Sequence, residues 1–242
     1  MADKTAEKTI QQLPANIEEM LKVGAHFGFL RSRRHPSFKS YIVGTKNMTE
    51  VIDLEKTDEL LKKAEAFVEE LAKNKKTILF AASKSEAKEI IRKYAEEIGV
   101  PFVAGRWIGG TLTNFPEVKK RVIRLEDLSS KKEKGELMKY TKKERLMFDR
   151  EIEALTEMFA GLKNLTRVPD AVFVVDSKKE DIAVAEANKT GVPVVALASS
   201  DCDINKVKFG IPGNDASRAS IEYFVSRIAA AYKRGVAAVV AA

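Results

Sequence analysis

The sequence predicts an α/β fold in which helices cover both faces of a parallel sheet and an antiparallel helical hairpin is inserted into the chain. The first observation is that short, continuously apolar runs, such as residues 171–175 and 193–197, alternate with helical segments. Strands that are apolar on both sides and joined through helices are typical of a parallel sheet. The second observation is that residues 115–165 contain no strand candidate and change to a heptad-like spacing of apolar residues.

The elements of the α/β domain are predicted from apolar periodicity, from capping residues such as Asn16, and from the helix-ending Gly99. The predicted helices cover residues 16–22, 58–73, 84–98, 180–189 and 215–234. The predicted strands cover residues 77–82, 101–103, 171–175 and 193–197. Residues 212–215 (PGND) are predicted as a turn that leads into the last helix.

The inserted hairpin is predicted from two apolar stripes, one on each side of the polar link at residues 129–140. Pro116 suits the first turn of the first helix, and residues 141–144 (TKKE) form a capping-box sequence for the second. Residues 117–150 carry 12 basic and 7 acidic side chains. These cations are interpreted equally well as solvated coiled-coil faces or as RNA contacts. We expect the hairpin to be dispensable for folding of the α/β domain.

The domain organisation follows from these elements. We expect residues 1–15 to form a flexible N-terminal arm and residues 236–242 to form a C-terminal tail. Residues 16–114 and 166–235 form one discontinuous α/β domain, and residues 115–165 form the inserted helical hairpin, a coiled coil.

The charge balance favours a polyanionic partner. The 242 residues include 42 Lys and Arg against 35 Asp and Glu, a net charge of +7, and cations set against phosphates release condensed counterions. Cys202 is the single cysteine, which excludes an internal disulfide. The polar N-terminus lacks a signal-peptide core, and the apolar tail is too short to span a bilayer. We therefore expect a cytoplasmic protein without a membrane partner.

The most specific functional signal is a basic segment at residues 21–49, which holds six basic and no acidic side chains. The His35-Pro36 pair disfavours a helix, so these cations are expected on a loop or an extended stretch. The planar guanidinium fork of arginine binds phosphate oxygens and stacks on bases, and the segment also holds Phe27, Phe29, Phe38 and Tyr41. The predicted RNA-binding residues, which add cations near the hairpin, are Arg31, Arg33, Arg34, Lys39, Lys46, Arg106, Lys119 and Lys120.

Patterns for small-molecule chemistry are absent from the sequence. The Gly109-Gly110 turn could approach an anion, but the lysine that a P-loop needs after its last glycine is Thr111 here. His26, His35 and Cys202 do not make a zinc motif. Asp176, Asp201 and Asp203 follow predicted strands without a nucleophile or base beside them. Such carboxylates commonly cap the next helix, so we expect no catalytic residue, metal, cofactor or small-molecule substrate.

A series of motifs resembles one family, the bacterial-type small-subunit ribosomal protein S-two family, from about Ile17 to Arg234. The motifs occur in the family's order: residues 24–28 (GAHFG), 41–44 (YIVG), 52–54 (IDL), Lys56-Thr57, 106–115 (RWIGGTLTNF), 141–144 (TKKE), Pro169-Asp170, Glu186-Ala187 and 211–215 (IPGND). The chain departs from the family at Phe29, where a second histidine is usual. It also departs at Arg34-His35, where Trp-Asn is usual, and at residues 200–208, which are less acidic.

The resemblance implies a flavodoxin-like (Rossmann-like) parallel sheet with a projecting helical hairpin. It also implies a structural constituent of the small ribosomal subunit that docks on small-subunit ribosomal RNA near the junction of head and body. Contacts with neighbouring ribosomal proteins, support of subunit assembly, and help in placing the mRNA-capturing protein S-one are further implications. Two alternatives stay open at this point: a flavodoxin-like phosphate- or nucleotide-binding enzyme, which the fold alone permits, and a coiled-coil protein adaptor.

Overall fold

The computed structural model describes residues 14–240 and contains two sheets. The larger is a five-stranded, wholly parallel sheet in the order β5-β4-β6-β7-β8. Its strands are β4 (Ile78–Ala82), β5 (Phe102–Ala104), β6 (Ala171–Val175), β7 (Val194–Ala198) and β8 (Phe209–Pro212). Numbered along this sheet alone, the strand order is 2-1-3-4-5, which is the flavodoxin-like arrangement.

Helices cover both faces of the parallel sheet, as the apolar runs predict. The helices are α1 (Ala15–Lys22), α2 (Leu54–Lys73), α3 (Ser85–Ile98), α4 (Phe115–Glu133), α5 (Lys142–Phe159), α6 (Asp181–Thr190) and α7 (Arg218–Val240). Alternate residues of each strand belong to different cores: Phe80 packs with α1, α2, α3 and α7, whereas Leu79 packs with α4, α5 and α6. Because every second side chain points to the opposite face, continuous apolar runs are required.

The boundaries of several helices differ from the sequence prediction. Helix α1 follows Pro14, so Asn16 is not its N-cap, and α2 begins at Leu54 because the Asp53 carboxylate caps it. Gly99 ends α3 in the left-handed conformation as predicted, with φ +70°. Helix α7 begins at Arg218 and continues to Val240, so the residues up to 240 that were predicted as tail are helical. The predicted N-terminal arm lies outside the described residues, apart from its last two positions.

Four strands were not predicted from the sequence. Three of them form a small antiparallel sheet in the order β1-β3-β2, from β1 (Phe27–Leu30), β2 (Ile42–Lys46) and β3 (Thr49–Ile52). The basic segment predicted as a loop is therefore partly strand, with short 3-10 turns at Arg31–Arg33 and Pro36–Tyr41 between β1 and β2. The fourth strand is β8, whose Phe-Gly-Ile-Pro sequence interrupts two strand-forming residues with Gly and Pro.

The hairpin forms as predicted at its helix starts. Pro116 lies in the first turn of α4, and the Thr141 hydroxyl and Glu144 carboxylate form the reciprocal capping box of α5. Near the sheet, however, α4 and α5 share the core beneath the α/β domain, as shown by buried Val118, Val122 and Phe159. A Cβ on Gly161 would collide with the backbone carbonyl of Phe102 in β5. The base of the hairpin, which we call the hairpin root (residues 115–128 and 152–165), is thus built into the core.

Candidate nucleic-acid interface

The small antiparallel sheet lies on the carboxyl-terminal edge of the parallel sheet. The Phe29 N–H donates to the Ser200 hydroxyl at 2.8 Å, and the His35 N–H donates to the Ser200 carbonyl at 2.9 Å. Gly28 allows this approach, because a Cβ there would lie 3.0 Å from the Ser200 oxygen. The Ile204 N–H also donates to the Ser37 hydroxyl at 3.3 Å. The basic segment is therefore held against the edge where α/β enzymes usually bind their ligands.

Besides Lys22, which pairs with Glu18 at 2.8 Å, four cations of the basic segment are exposed: Arg31, Arg33, Lys39 and Lys46. Within the described part of the chain, none of the four has a carboxylate within 4 Å. The Arg31 N–H donates to the Met48 carbonyl at 3.0 Å, and Lys46 lies opposite Thr49 in the β2–β3 pair. Arg31 and Lys46 consequently flank the same turn, and their charges are available to an external anion.

Arg34 differs from its neighbours because it pairs with an internal carboxylate. Its guanidinium lies 3.1 Å from an oxygen of Glu50, whose side chain is fully buried, while Arg34 keeps 27% exposure. Burial raises the pKa of the Glu50 carboxyl, and the Arg34 charge opposes that rise only in part. This geometry gives Arg34 a structural role beneath the basic surface, whether or not it also contacts RNA.

The aromatic side chains of the basic segment are mostly internal. Phe38 is fully buried and meets Tyr41 edge-on at 5.5 Å between ring centroids. Phe29 is half-buried, and its ring lies 5.7 Å from the Lys84 ammonium group. Only Phe27, with 46% exposure, offers much of its ring to solvent. The expectation that these aromatic residues accompany the cations on a loop or an extended stretch is therefore wrong for at least Phe38, which is a core residue.

The remaining predicted RNA-binding residues lie on other elements and are exposed. Arg106 follows β5 and has no carboxylate within 4 Å among the described residues, whereas Lys120 pairs with Glu117 at 2.6 Å. The Lys119 ammonium donates to the Thr166 carbonyl at 3.2 Å across the hairpin root. Further along the hairpin, Arg124 bonds to Glu151 at 3.1 Å. Ion pairs between α4 and α5 thus neutralise part of the positive charge of the hairpin.

A buried ionic cluster lies beneath the small sheet. The Lys84 ammonium follows β4 and pairs with Asp176 after β6 at 2.7 Å and with Asp215 after β8 at 3.0 Å. Burial, reinforced by the charge of Asp176, raises the pKa of Asp215 to about 7 despite the attraction of Lys84. Asp215 was expected in a turn leading to a helix N-cap, but its side chain is fully buried. The Asn214 side chain accepts from Ala216 and Ser217 instead.

The Gly109-Gly110 turn holds an anion that belongs to the chain itself. The Glu186 carboxylate of α6 accepts from the N–H groups of Gly110 at 2.6 Å, Leu112 at 2.9 Å and Thr113 at 3.2 Å. Burial raises the pKa of this carboxyl, but the three backbone donors outweigh the effect and leave the pKa lowered. The turn therefore fastens the start of α4 to α6 and is filled by a side chain of the protein.

The aspartates predicted as helix caps take structural roles. The Asp176 carboxylate accepts from the N–H groups of Lys178 and Lys179, both at 3.0 Å. The Asp203 carboxylate accepts from the Asn205 N–H at 3.2 Å, and Asp201 pairs with Lys178 at 3.0 Å. Only Asp203 acts as an N-cap, and it caps the short 3-10 turn Ile204–Lys206. Asp176 stabilises a turn before α6, whose N-cap position is Glu180, so the capping interpretation is wrong for Asp176 and Asp201.

The histidines are not part of the one group of possible metal ligands found among residues 14–240. That group consists of Asp176, Cys202 and Asp215. The Lys84 ammonium already lies between its two carboxylates, and burial raises the pKa of the Cys202 thiol to about 12. Burial, followed by the nearby Lys46 charge, lowers the pKa of His26. Because the thiol is protonated and the Lys84 ammonium lies between the two carboxylates, we interpret this cluster as a buried ion-pair site.

The residues that organise this edge, Lys84 and Glu186, were not singled out as functional by the sequence. Lys84 follows a strand and Glu186 lies within a helix, and charged residues are ordinary at both positions. The partners of each residue lie far along the chain. Only the juxtaposition of strand ends in the folded sheet brings these pairs together.

Comparison with known proteins identifies the family of this chain. The family model described as ribosomal protein S2 matches residues 20–235. The chain belongs to the ribosomal protein S2 family. A relative from Thermus thermophilus, named small ribosomal subunit protein uS2, is 44% identical over 211 residues, covering 87% of this chain and 82% of the relative. Relatives of the same name from Salinibacter ruber (40% identity, 91% and 69% coverage) and Wolinella succinogenes (40% identity, 90% and 81% coverage) are similar.

Membership in the family confirms the resemblance read from the motifs and the flavodoxin-like fold predicted with it. Because the ribosomal protein S2 family consists of ribosomal proteins, membership also confirms that the chain is not an enzyme, and the alternative of a phosphate- or nucleotide-binding enzyme is wrong. Among the helices within residues 14–240, none has the length and apolar character that crossing a bilayer requires.

Proposed function

We propose that this protein is a structural constituent of the small ribosomal subunit and docks on small-subunit ribosomal RNA through the basic segment. The observation that carries the proposal is the group of four exposed cations without acidic partners, Lys46 on β2 and Arg31, Arg33 and Lys39 on the 3-10 turns between β1 and β2. When a cation lies on a folded backbone, only its side chain has to be ordered on binding phosphate, so the entropy cost is smaller than for a flexible segment. The names of the relatives, small ribosomal subunit protein uS2, support the same partner.

The remaining predicted contacts, Arg106, Lys119 and Lys120, extend the proposed RNA surface toward the hairpin root. Folded RNA is recognised largely through its shape, phosphates and 2′-hydroxyl groups. A surface that combines a small sheet with part of a helix presents cations at separated positions, which suits a folded RNA better than a single strand. Neighbouring ribosomal proteins are the proposed partners for the rest of the hairpin.

Sucrose-gradient fractionation of a cell lysate, with mass spectrometry to follow the protein, tests the proposed location. We expect co-migration with small subunits that is lost only in strong salt or after RNase treatment, because phosphate contacts weaken steeply as salt rises. Migration as a free monomer or small oligomer, with little protein in ribosomal fractions, would overturn the proposal.

We further propose that the protein supports subunit assembly and helps to place the mRNA-capturing protein S-one. This part rests on the family resemblance. Its test is to deplete cells of the protein and to measure, by quantitative mass spectrometry, the S-one content of purified small subunits. We expect assembled subunits without this protein to lack S-one as well. An unchanged ratio of S-one to the other small-subunit proteins would contradict this role.

A further inference from the structure

An open pocket at the carboxyl-terminal edge of the parallel sheet is not used by the contacts described above. Its volume is about 380 Å³, and it lies beyond the ends of β4, β5 and β6. We call it the cationic pocket, and its lining residues are Ser83, Lys88, Arg106, Trp107, Lys179, Glu180 and Ile182.

Three cations from three separate parts of the chain line the cationic pocket. Lys88 lies near the start of α3, Arg106 follows β5, and Lys179 precedes α6. Across the described residues, none of the three has a carboxylate within 4 Å, unlike Arg124 and Lys132 of the hairpin. Unpaired cations that converge on one concavity raise its electrostatic potential and attract an anion.

The carboxylates near the cationic pocket compensate these charges only in part, because Glu86 and Glu180 interact with Lys179 at a distance beyond an ion pair. Glu180 is 2% exposed, and its carboxylate accepts from the Ser83 N–H at 2.6 Å. Glu86 accepts a hydrogen bond from the Ser85 hydroxyl at 2.9 Å and pairs with none of the three cations. The lining therefore carries three positive charges against one buried carboxyl group.

The sheet topology explains why an anion fits at this position. From β4 the chain passes to β5 on one side and then crosses to β6 on the other, which opens a crevice at the carboxyl ends of the strands. Two other places at this edge that attract charge are already filled by the chain. Glu186 occupies the Gly109-Gly110 turn, and Lys84 pairs with Asp176 and Asp215 beneath the small sheet. The cationic pocket is the one of these three that remains open.

We propose that the cationic pocket receives a backbone phosphate of small-subunit ribosomal RNA, held by Lys88, Arg106 and Lys179. The inference rests on the proposed function and adds to it a second contact area, separate from the basic segment. Arg106 supplies a planar fork for two phosphate oxygens, and the two lysines supply point charges. The volume of about 380 Å³ accommodates a phosphate group.

The test compares two triple variants of the full chain in binding to a small-subunit ribosomal RNA transcript across a range of salt concentrations. The first variant is Lys88→Gln/Arg106→Gln/Lys179→Gln. The control is Lys76→Gln/Lys189→Gln/Lys208→Gln, which removes the same charge from exposed positions that precede strands at the opposite edge of the sheet. For the pocket variant we expect a Kd higher by roughly tenfold and a salt slope smaller by about 1, the value for one lost phosphate contact.

The outcomes separate this inference from the proposed function. Tight, salt-dependent binding by the unmodified chain and the control, with weaker binding by the pocket variant, supports both. Equal weakening of the two variants, or no weakening, overturns the cationic pocket while the proposed function stands. Salt-independent or absent binding by the unmodified chain overturns both.

Chemical cross-linking of lysine amines to RNA in native small subunits gives a second measurement that needs no variant to fold. We expect cross-linked peptides that contain Lys88 or Lys179. Cross-links at Lys39 and Lys46 without any at Lys88 or Lys179 would overturn the cationic pocket as a contact.

Discussion

Buried charged side chains in this protein find partners far away in the sequence. Glu186 receives backbone N–H groups from the Gly109-Gly110 turn, Asp215 shares the Lys84 ammonium, and Glu50 pairs with Arg34. A buried charge without such partners costs several kcal/mol. Each of these interactions therefore joins two elements of the fold. Removing one partner is expected to lower the free energy of unfolding by more than the intact interaction contributes to it.

Replacing Glu186 by Gln tests the anion-binding turn. The amide keeps one acceptor oxygen but sets an NH₂ group against backbone donors, so at least one N–H group loses its partner. We expect the free energy of unfolding to fall by about 2 kcal/mol, measured by urea denaturation. The control is Glu89→Gln, at an exposed carboxylate paired with Arg218. A loss no larger than that of the control would show that the turn does not depend on the charge.

The pH dependence of stability tests the ionic cluster around Asp215. Its folded-state pKa of about 7 lies above the ordinary value of 3.8, so between these values the native state binds more protons than the unfolded state. The free energy of unfolding should therefore fall as pH rises from about 4 to 7, by up to about 1.4 kcal/mol per pH unit. The Asp215→Asn variant lacks this titration and leaves Lys84 paired with Asp176.

Urea denaturation at pH 5 and pH 8 measures the effect. We expect the difference in unfolding free energy between the two pH values to be smaller in Asp215→Asn than in the unmodified chain. Identical differences in both proteins would place the titrating group elsewhere.

At the level of elements, the hairpin consists of an outer part (residues 129–151) and a root that is built into the core. Val118, Val122 and Leu125 of α4 and Phe159 of α5 belong to the core under the parallel sheet. The Glu186 carboxylate fastens the turn that leads into α4. Farther out, polar links such as Lys132 with Asp149 join the two helices at 2.7 Å. The expectation that the whole hairpin is dispensable for folding stays a prediction. The packing of the root argues against it, whereas in the outer part Phe148 is the partly buried residue that packs against this core.

Two deletions separate the root from the outer hairpin. Replacing residues 129–151 by a short Gly/Ser linker keeps the root, so we expect cooperative thermal unfolding with a Tm within a few degrees of the unmodified chain. Replacing residues 116–164 removes several buried side chains at roughly 2–5 kcal/mol each, which exceeds the stability of an ordinary domain. We expect that chain to lack a cooperative transition in calorimetry. Cooperative unfolding of both variants would restore the original expectation.

At the scale of the whole molecule, one edge of the parallel sheet carries the proposed RNA surfaces. The small sheet covers the ionic cluster there, and the 3-10 turn after β1 exposes Arg31 and Arg33. The cationic pocket opens at the same edge. In many α/β enzymes the crevice at this edge holds the catalytic site. Here the small sheet covers part of the crevice, and positively charged residues line another part. This arrangement suits a protein that binds a large polyanion as a rigid body.

Separate substitutions of the arginines test this division of roles. In Arg31→Ala/Arg33→Ala, two exposed cations are lost, so we expect reduced incorporation into small subunits with an unchanged Tm. In Arg34→Ala, buried Glu50 loses its partner, and we expect about 3 kcal/mol of lost stability. Adding Glu50→Gln to Arg34→Ala should restore part of that loss, because the unpaired charge is removed.

Subunit incorporation is followed by quantitative mass spectrometry of gradient fractions, and stability by urea denaturation. Full incorporation of the Arg31 and Arg33 double variant would contradict an RNA contact at those residues. Equal stability of Arg34→Ala and the unmodified chain would contradict the structural role of Arg34.

The sequence alone determined the features that local periodicity encodes. The parallel sheet follows from runs such as residues 171–175, the capping box at Thr141 marks the start of α5, and Gly99 ends α3. These signals need only neighbouring residues, because a helix repeats every 3.6 residues and a strand every two. The predicted RNA-binding residues come from the same local source, a basic run without acids, and they stay predictions.

Only the tertiary structure decided how distant residues meet. The strands of the small sheet are four or five residues long and hold bulges, and β1 bonds to Ser200, a contact that no local pattern records. In the sequence, Arg34 cannot be distinguished from its exposed neighbours, and only the fold shows that it pairs with buried Glu50. Likewise, only the fold shows that the Gly109-Gly110 turn binds the Glu186 carboxylate of α6. Lys88, Arg106 and Lys179 share a pocket only because the sheet brings the ends of its strands together. The physical reason is that burial and charge pairing depend on separation in space, which local sequence patterns do not record.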